Sequence, residues 1–82
     1  MNITIYSMEG CGHCVGAKAA LTLKNIDFTE IKVPHDMSTA DFVEKFPMAR
    51  SMPLIFDDTH LIGGLKELQS YLLSKDLQGV TL

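Results

Sequence analysis

Tryptophan is absent from this 82-residue chain, and cysteine occurs only twice. Two cysteines are too few to staple a disulfide-dense fold, which excludes the small secreted scaffolds that substitute cross-links for a core. No apolar run approaches the roughly 20 residues that a membrane-spanning helix needs. The first residues, Met1-Asn2-Ile3-Thr4-Ile5-Tyr6, carry neither the basic leader nor the apolar stretch of a signal peptide. The last, Gln78-Gly79-Val80-Thr81-Leu82, match no retention or lipidation signal. No membrane partner is expected, and the expected compartment is the cytoplasm. Positive charge is also scarce: seven Lys and Arg against ten Asp and Glu give a formal net charge of −3. That excludes the clustered basic face required by a nucleic-acid partner.

What remains is a globular composition, 46% hydrophobic and 21% charged, in a chain long enough for one core. A single domain over residues 1–82 is the expectation. There is no repeat and no linker, and the hydrophobic period switches several times, as an α/β domain requires. Asn2 to Tyr6 is β-branched and apolar, a buried strand. Two glycines and no apolar pattern make Ser7 to Gly12 a loop. A helix follows from Gly12 or His13 to about Asn25, with Ala17, Ala20, Leu21 and Lys24 spaced for one face and Asn25 placed to close it in a left-handed conformation. Phe28 to Val33 reads as a second strand with one wet face or edge, ended by Pro34. Ser38 and Asp41 form the N-cap and N3 pair of a second helix carrying Phe42, Val43 and Phe46 on one side and stopping at Pro47. Pro53–Phe56 and His60–Ile62 flank the turn residues Asp57-Asp58-Thr59, which predicts a hairpin. Gly63-Gly64 then opens a last helix with Leu65, Leu68, Tyr71 and Leu72 inward and Lys66, Glu67, Gln69, Ser70 and Lys75 in water. The order is β-α-β-α-β-β-α. Its first crossover should be parallel and right-handed, its hairpin antiparallel, and its first and last helices on one face of a four-stranded mixed sheet.

Both cysteines fall in one tetrapeptide, Cys11-Gly12-His13-Cys14. With a helix starting at Gly12, Cys11 sits at its N-cap and Cys14 one turn on, a spacing that a disulfide tolerates. The free N–H groups of the first turn and the helix dipole favour a Cys11 thiolate, the nucleophilic form. Cys14, one turn inside, is the natural resolving thiol. His13 either tunes this pair as a titratable donor or is simply solvated. Half of a zinc site is the competing use of such a pair, but no second cysteine pair exists and His13, His35 and His60 match no zinc spacing. No metal site is therefore expected; His35 and His60 read as surface residues of a loop and an outer strand.

Ile5-Tyr6-Ser7, Cys11-Gly12-His13-Cys14, Ala17-Lys18-Ala19, Ser51-Met52-Pro53 and Ile62-Gly63-Gly64 together resemble the glutaredoxins over nearly the whole chain. The resemblance implies a thioredoxin-like fold and a glutathione-dependent thiol–disulfide oxidoreductase, with Cys11 as nucleophile and Cys14 resolving. Pro53 alone could be a trans residue starting a strand; the resemblance implies a cis peptide that turns the Met52 backbone toward the substrate. Gly63-Gly64 is either a flexible turn or, as the resemblance implies, the place where Gly64, Leu65 and Lys66 meet the γ-glutamyl end of glutathione. Arg50 is either a solvated residue or the contact to the glycine carboxylate. Expected partners are glutathione as co-substrate and disulfide-bearing proteins, ribonucleotide reductase among them, acted on by a monomer.

Three residues depart from the family pattern. Gly12-His13 replaces the frequent Pro-Tyr and matches protein disulfide isomerases, Met8 stands where many members have a basic residue, and Lys66 stands where many have an acid. Two other readings follow. A glutathione-ligated [2Fe–2S] cluster between two subunits is suggested by the missing active-site proline, and isomerase or oxidase work by the Cys-Gly-His-Cys motif.

Overall fold

In the computed structural model, residues 1–78 are described, with side chains through Lys75; 79–82, which include most of the C-terminal segment read above, lie outside the described residues. The elements run β1 (Ile3–Ser7), α1 (Gly12–Leu23), β2 (Phe28–Lys32), α2 (Thr39–Lys45), β3 (Leu54–Asp57), β4 (His60–Gly63) and α3 (Leu65–Gln78). This is the expected order. Among the described residues the strands form one sheet in the order β2-β1-β3-β4, with β1 parallel to β2 and antiparallel to β3, and β3 antiparallel to β4. The fold is the four-stranded mixed sheet with three helices of the thioredoxin-like class.

Strand alternation divides the core in two. Ile3 and Ile5 of β1 and Ile55 of β3 point to the face covered by α1 and α3, where they pack with Ala17, Leu21, Leu68 and Leu72. Tyr6 and Leu54 point to the other face, where Val33, Phe42 of α2 and Phe46 at its C-cap cover them. The Tyr6 ring lies 5.7 Å from Phe42 and 4.9 Å from Phe46, tilted and edge-on, the arrangements that aromatic quadrupoles favour. α1 and α3 approach closely because Gly16 has no side chain: a Cβ there would stand 3.1 Å from Leu65 Cδ2.

The caps follow the sequence. Ser38 Oγ accepts from Asp41 N at 3.1 Å and opens α2. Asn25, at φ +57, ends α1 with Asn25 N donating to Thr22 O and Ile26 N to Leu21 O. These are the two bonds of a Schellman closure, with Ile26 packed against the core behind it.

Three local expectations are corrected. Val43 is 56% exposed, because α2 is barely two turns and its inward row is the i, i+4 pair Phe42 and Phe46, which leaves Val43 about 100° off it. Lys24 leaves the inward row of α1, since it is the C-cap, where the backbone turns away. β2 ends at Lys32; Val33 N still reaches Ser7 O at 2.8 Å, but its side chain belongs to the α2 core.

The end of the sheet far from the cysteines is closed by Tyr71, whose hydroxyl donates to Asp57 Oδ2 at 2.6 Å, while Asn2 N donates to Oδ1 at 2.9 Å. The Tyr71 bond, then the Asn2 bond, hold the Asp57 carboxyl below the usual carboxylate range. A depressed acid contributes stability above its unfolded pKa and loses it as pH falls through the folded one. Asp57 likewise pushes the Tyr71 phenol up, so the pair's contribution also fades when strong alkali removes that proton. Tyr71→Phe is expected to cost about 1 kcal/mol at neutral pH. In denaturant titrations that cost should shrink to nothing at the acid end, where Asp57 is protonated in both proteins.

Candidate active site

Helix α1 begins where the loop after β1 delivers Cys11. Its backbone is extended (φ −96°, ψ 104°) and its side chain occupies the N-cap, accepting from Cys14 N at 3.1 Å. Cys11 O accepts from Val15 N at 3.2 Å, the first helical bond. Cys11 and Cys14 are joined by a disulfide across a Cα separation of 5.2 Å. Cys11 is half-buried with the Cys14 N–H aimed at its sulfur, and Cys14 is only 2% exposed. Such an asymmetry suits a dithiol pair in which one sulfur is reached by a substrate and the other is sheltered.

The segment before β3 meets this pair from the sheet side. The Met52–Pro53 peptide is cis, and Met52 O lies 3.7 Å from Cys11 Sγ. Pro53 is buried and Met52 half-buried. At the far side of Pro53, Gly63 adopts φ +123°, a conformation that side chains resist, and a Cβ there would stand 2.9 Å from Glu67 Cγ. Glu67 is the third residue of α3, and its Oε1 accepts from Gly64 N at 2.8 Å. That is one half of a capping box; the other half is missing because Gly64 has no side chain.

These pieces enclose a cleft of about 340 Å³ whose walls include His13, Met52, Pro53, Gly64, Leu65 and Lys66. Six of the residues singled out from sequence are thus brought together. Arg50 is exposed and does not line it; its neighbour Ser51 does. Sequence reasoning missed Ser51, Glu67 and Gln69 as parts of this wall. The Gly64-x-x-Glu67 spacing signals the helix start, and Gln69 lies four residues after Leu65 on the same helix face.

A second cleft, of about 370 Å³, opens on the other side of the disulfide and is lined by both cysteines, Met8 and Val15. Its floor is polar. Ser7 Oγ donates to Glu30 Oε2 at 2.6 Å, and Lys18 Nζ donates to the same oxygen at 2.8 Å. First Lys18, then Ser7, hold the Glu30 carboxyl below the usual range. Sequence reasoning read Glu30 as a wet strand residue and overlooked that Lys18 follows Cys14 by one helical turn.

The expected outer positions of His35 and His60 agree with the structure: both are exposed, His60 stacked on Tyr71. Among the described residues no three His, Cys, Asp or Glu side chains gather to hold a metal ion, and no helix is long and apolar enough to cross a membrane.

The comparisons with known proteins agree with this geometry. The family profile described as Glutaredoxin matches residues 3–62. Glutaredoxin 3 of Escherichia coli (strain K12) is 33% identical over 67 residues, which cover 82% of this chain and 81% of that protein. The Gene 56 protein of Mycobacterium phage L5 is 36% identical over 58 residues, 71% of this chain but only 56% of that protein's length. The crystal structure of Glutaredoxin 1 from Francisella tularensis complexed with cacodylate superposes with a TM-score of 0.76 at 28% identity, covering 94% of this chain and 96% of that one. With its vicinal cysteines on a helix N-terminus and its fold and sequence shared with these proteins, the chain belongs to the glutaredoxin family of disulfide oxidoreductases.

Proposed function

We propose that the protein is a glutathione-dependent reductase of protein disulfides and glutathione mixed disulfides, working as a single domain and a monomer in the reducing cytoplasm. One observation carries the glutathione part: the Cys11 end of the disulfide abuts the Met52–Pro53 turn, and that turn continues into the cleft that ends at the α3 N-terminus. Glutathione is an extended tripeptide with a cysteine at its centre. With its sulfur on Cys11, its backbone pairs with Met52 as an added strand would. Its γ-glutamyl carboxylate then meets the N–H groups of Leu65 and Lys66, which have no partner within the helix. Gly64 permits the close approach, and the Lys66 ammonium replaces the acid frequent in the family. Arg50 serves the glycine carboxylate from the rim, and His13 flanks the sulfur.

In the proposed cycle the Cys11 thiolate attacks a substrate disulfide and forms a mixed disulfide; Cys14 then displaces the reduced substrate and closes the intramolecular disulfide. Two glutathiones restore the dithiol. A glutathionylated substrate needs only Cys11. The [2Fe–2S] alternative would use Cys11 and glutathione from each of two subunits; the Cys11–Cys14 disulfide favours the dithiol cycle.

The test is a turnover assay with a small glutathione mixed disulfide and glutathione as reductant, run in parallel with thioredoxin reductase. Turnover sustained by glutathione is expected, and the disulfide of ribonucleotide reductase is the first protein substrate to follow. Turnover with thioredoxin reductase alone would overturn the glutathione reading.

A further inference from the structure

The polar floor of the second cleft has no part in the cycle above. Lys18 lies four residues after Cys14 on the same face of α1, and its side chain lines one cleft with both cysteines. The Lys18 ammonium is tethered at its far end to β2, 2.8 Å from Glu30 Oε2, and that oxygen is itself fixed by Ser7 Oγ at 2.6 Å. Ser7 is buried as the last residue of β1, on the row that Ile3 and Ile5 begin. Lys18 and Glu30 are only 31% and 22% exposed at their side chains. A solubilising lysine needs no such anchoring.

Cys14 is where a tethered cation is needed. Burial disfavours a thiolate, and the first-turn donors that favour one are turned to Cys11: the N–H of Cys14 itself points at Cys11 Sγ. The resolving sulfur therefore lacks what the attacking sulfur has.

We propose that Lys18, held in place by Glu30 and Ser7, is a positioning residue for the resolving half-reaction, stabilising the Cys14 thiolate as it forms. The proposal rests on the dithiol cycle above. In that step Cys14 Sγ gives its proton to water in the cleft and bonds to Cys11 Sγ. The bond between Cys11 and the substrate sulfur breaks, and its electron pair leaves on the substrate, which takes up a proton. The two cysteines lose two electrons and the substrate disulfide gains them, so no further reactant is required. Glu30 stays ionised wherever thiols titrate, because Lys18 and Ser7 hold its carboxyl low. Two other charged residues face the same cleft, Glu9 from the loop and Lys32 from β2; both are exposed and of opposite sign.

The experiment has two arms. In Cys11→Ser, where Cys14 is the sole thiol and serine keeps the N-cap, the ionisation of Cys14 is followed by thiolate absorbance. Lys18→Met is expected to lower the thiolate fraction at a fixed pH about tenfold, and Lys18→Arg to restore most of it. In the dithiol protein, the ratio of Cys14-dependent protein-disulfide reduction to Cys14-independent deglutathionylation should fall about tenfold with Lys18→Met. Glu30→Gln should act in the same direction, and its effect should vanish in a Lys18→Met background, since it works only through the tether. That double variant leaves no unpaired charge, so it reports even where a single variant folds poorly. An unchanged Cys14 titration, an equal loss of both activities, or a Glu30→Gln effect undiminished without Lys18 would each overturn the proposal. The titration arm uses no glutathione. A tenfold shift there, in a protein that glutathione cannot drive, sinks the reading of the preceding subsection and leaves this one standing.

Discussion

Cys11→Ser is expected to remove all disulfide-exchange activity, a loss on the order of a thousandfold or more, because the group that forms the covalent intermediate is gone. Thermal stability should change little. Serine is among the preferred N-cap residues, and its hydroxyl can accept from Cys14 N as the sulfur now does at 3.1 Å. Loss of activity without loss of fold is therefore the expected pair of results. Cys14→Ser should divide the two activities. Protein-disulfide reduction stalls at the mixed disulfide, whereas removal of glutathione from a small substrate continues, because a second glutathione does the work of Cys14. Trapping makes this visible: Cys14→Ser incubated with a protein disulfide should accumulate a covalent adduct, and Cys11→Ser should not. Retention of activity in Cys11→Ser, or an adduct on Cys14, would reverse the two roles. The exposure of the sulfurs argues against that outcome, since Cys14 is almost wholly buried and Cys11 is not.

How much of this was legible beforehand follows from which forces are local. Ser38, Asn25 and Gly64 act on backbone groups a few residues away, so the ends of α2, α1 and α3 could be read from them directly. The cysteine geometry was equally local: a three-residue spacing on a helix start determines the Cα separation whatever surrounds it. The cis Met52–Pro53 peptide was different. The residues alone leave both isomers open, and the choice came from resemblance to a family. Val43 was misread because α2 is short, and which way a two-turn helix rolls depends on the aromatic side chains waiting on the sheet, here Tyr6 and Phe56. The Lys18–Glu30–Ser7 cluster escaped notice for a related reason. Glu30 sits on β2 beside Ile5 of β1, and no pattern within either segment says that a strand carboxylate will meet a helix lysine 12 positions earlier. Pairs that need the tertiary fold to meet cannot be read before the fold is known.

The same dependence of site on fold gives the second large effect. Leu68→Ala is expected to destabilise the protein by about 2–5 kcal/mol. Leu68 is fully buried where α3 meets the sheet, packed with Ile5, Leu21, Ile55 and Leu72, and these neighbours come from rigid elements that cannot collapse into the space left behind. For a domain of this size each kcal/mol moves the melting temperature by about 4–8 °C, so a fall of about 8 °C or more is expected. Against a total stability of about 5–15 kcal/mol the loss is a large fraction. The exposed Leu73→Ala, on the same helix, should stay within about 0.5 kcal/mol. Urea titrations at constant m-value check both, and a Leu68→Ala cost below 1 kcal/mol would mean that α3 is not seated on the sheet as described. The consequence for activity follows from position: Leu68 lies one turn beyond Leu65, whose side chain walls the cleft and touches α1 at Gly16. A loosened α3 should raise the KM for glutathione at temperatures where the protein is still folded, while the intrinsic reactivity of Cys11, set by the separate N-terminus of α1, stays as it is.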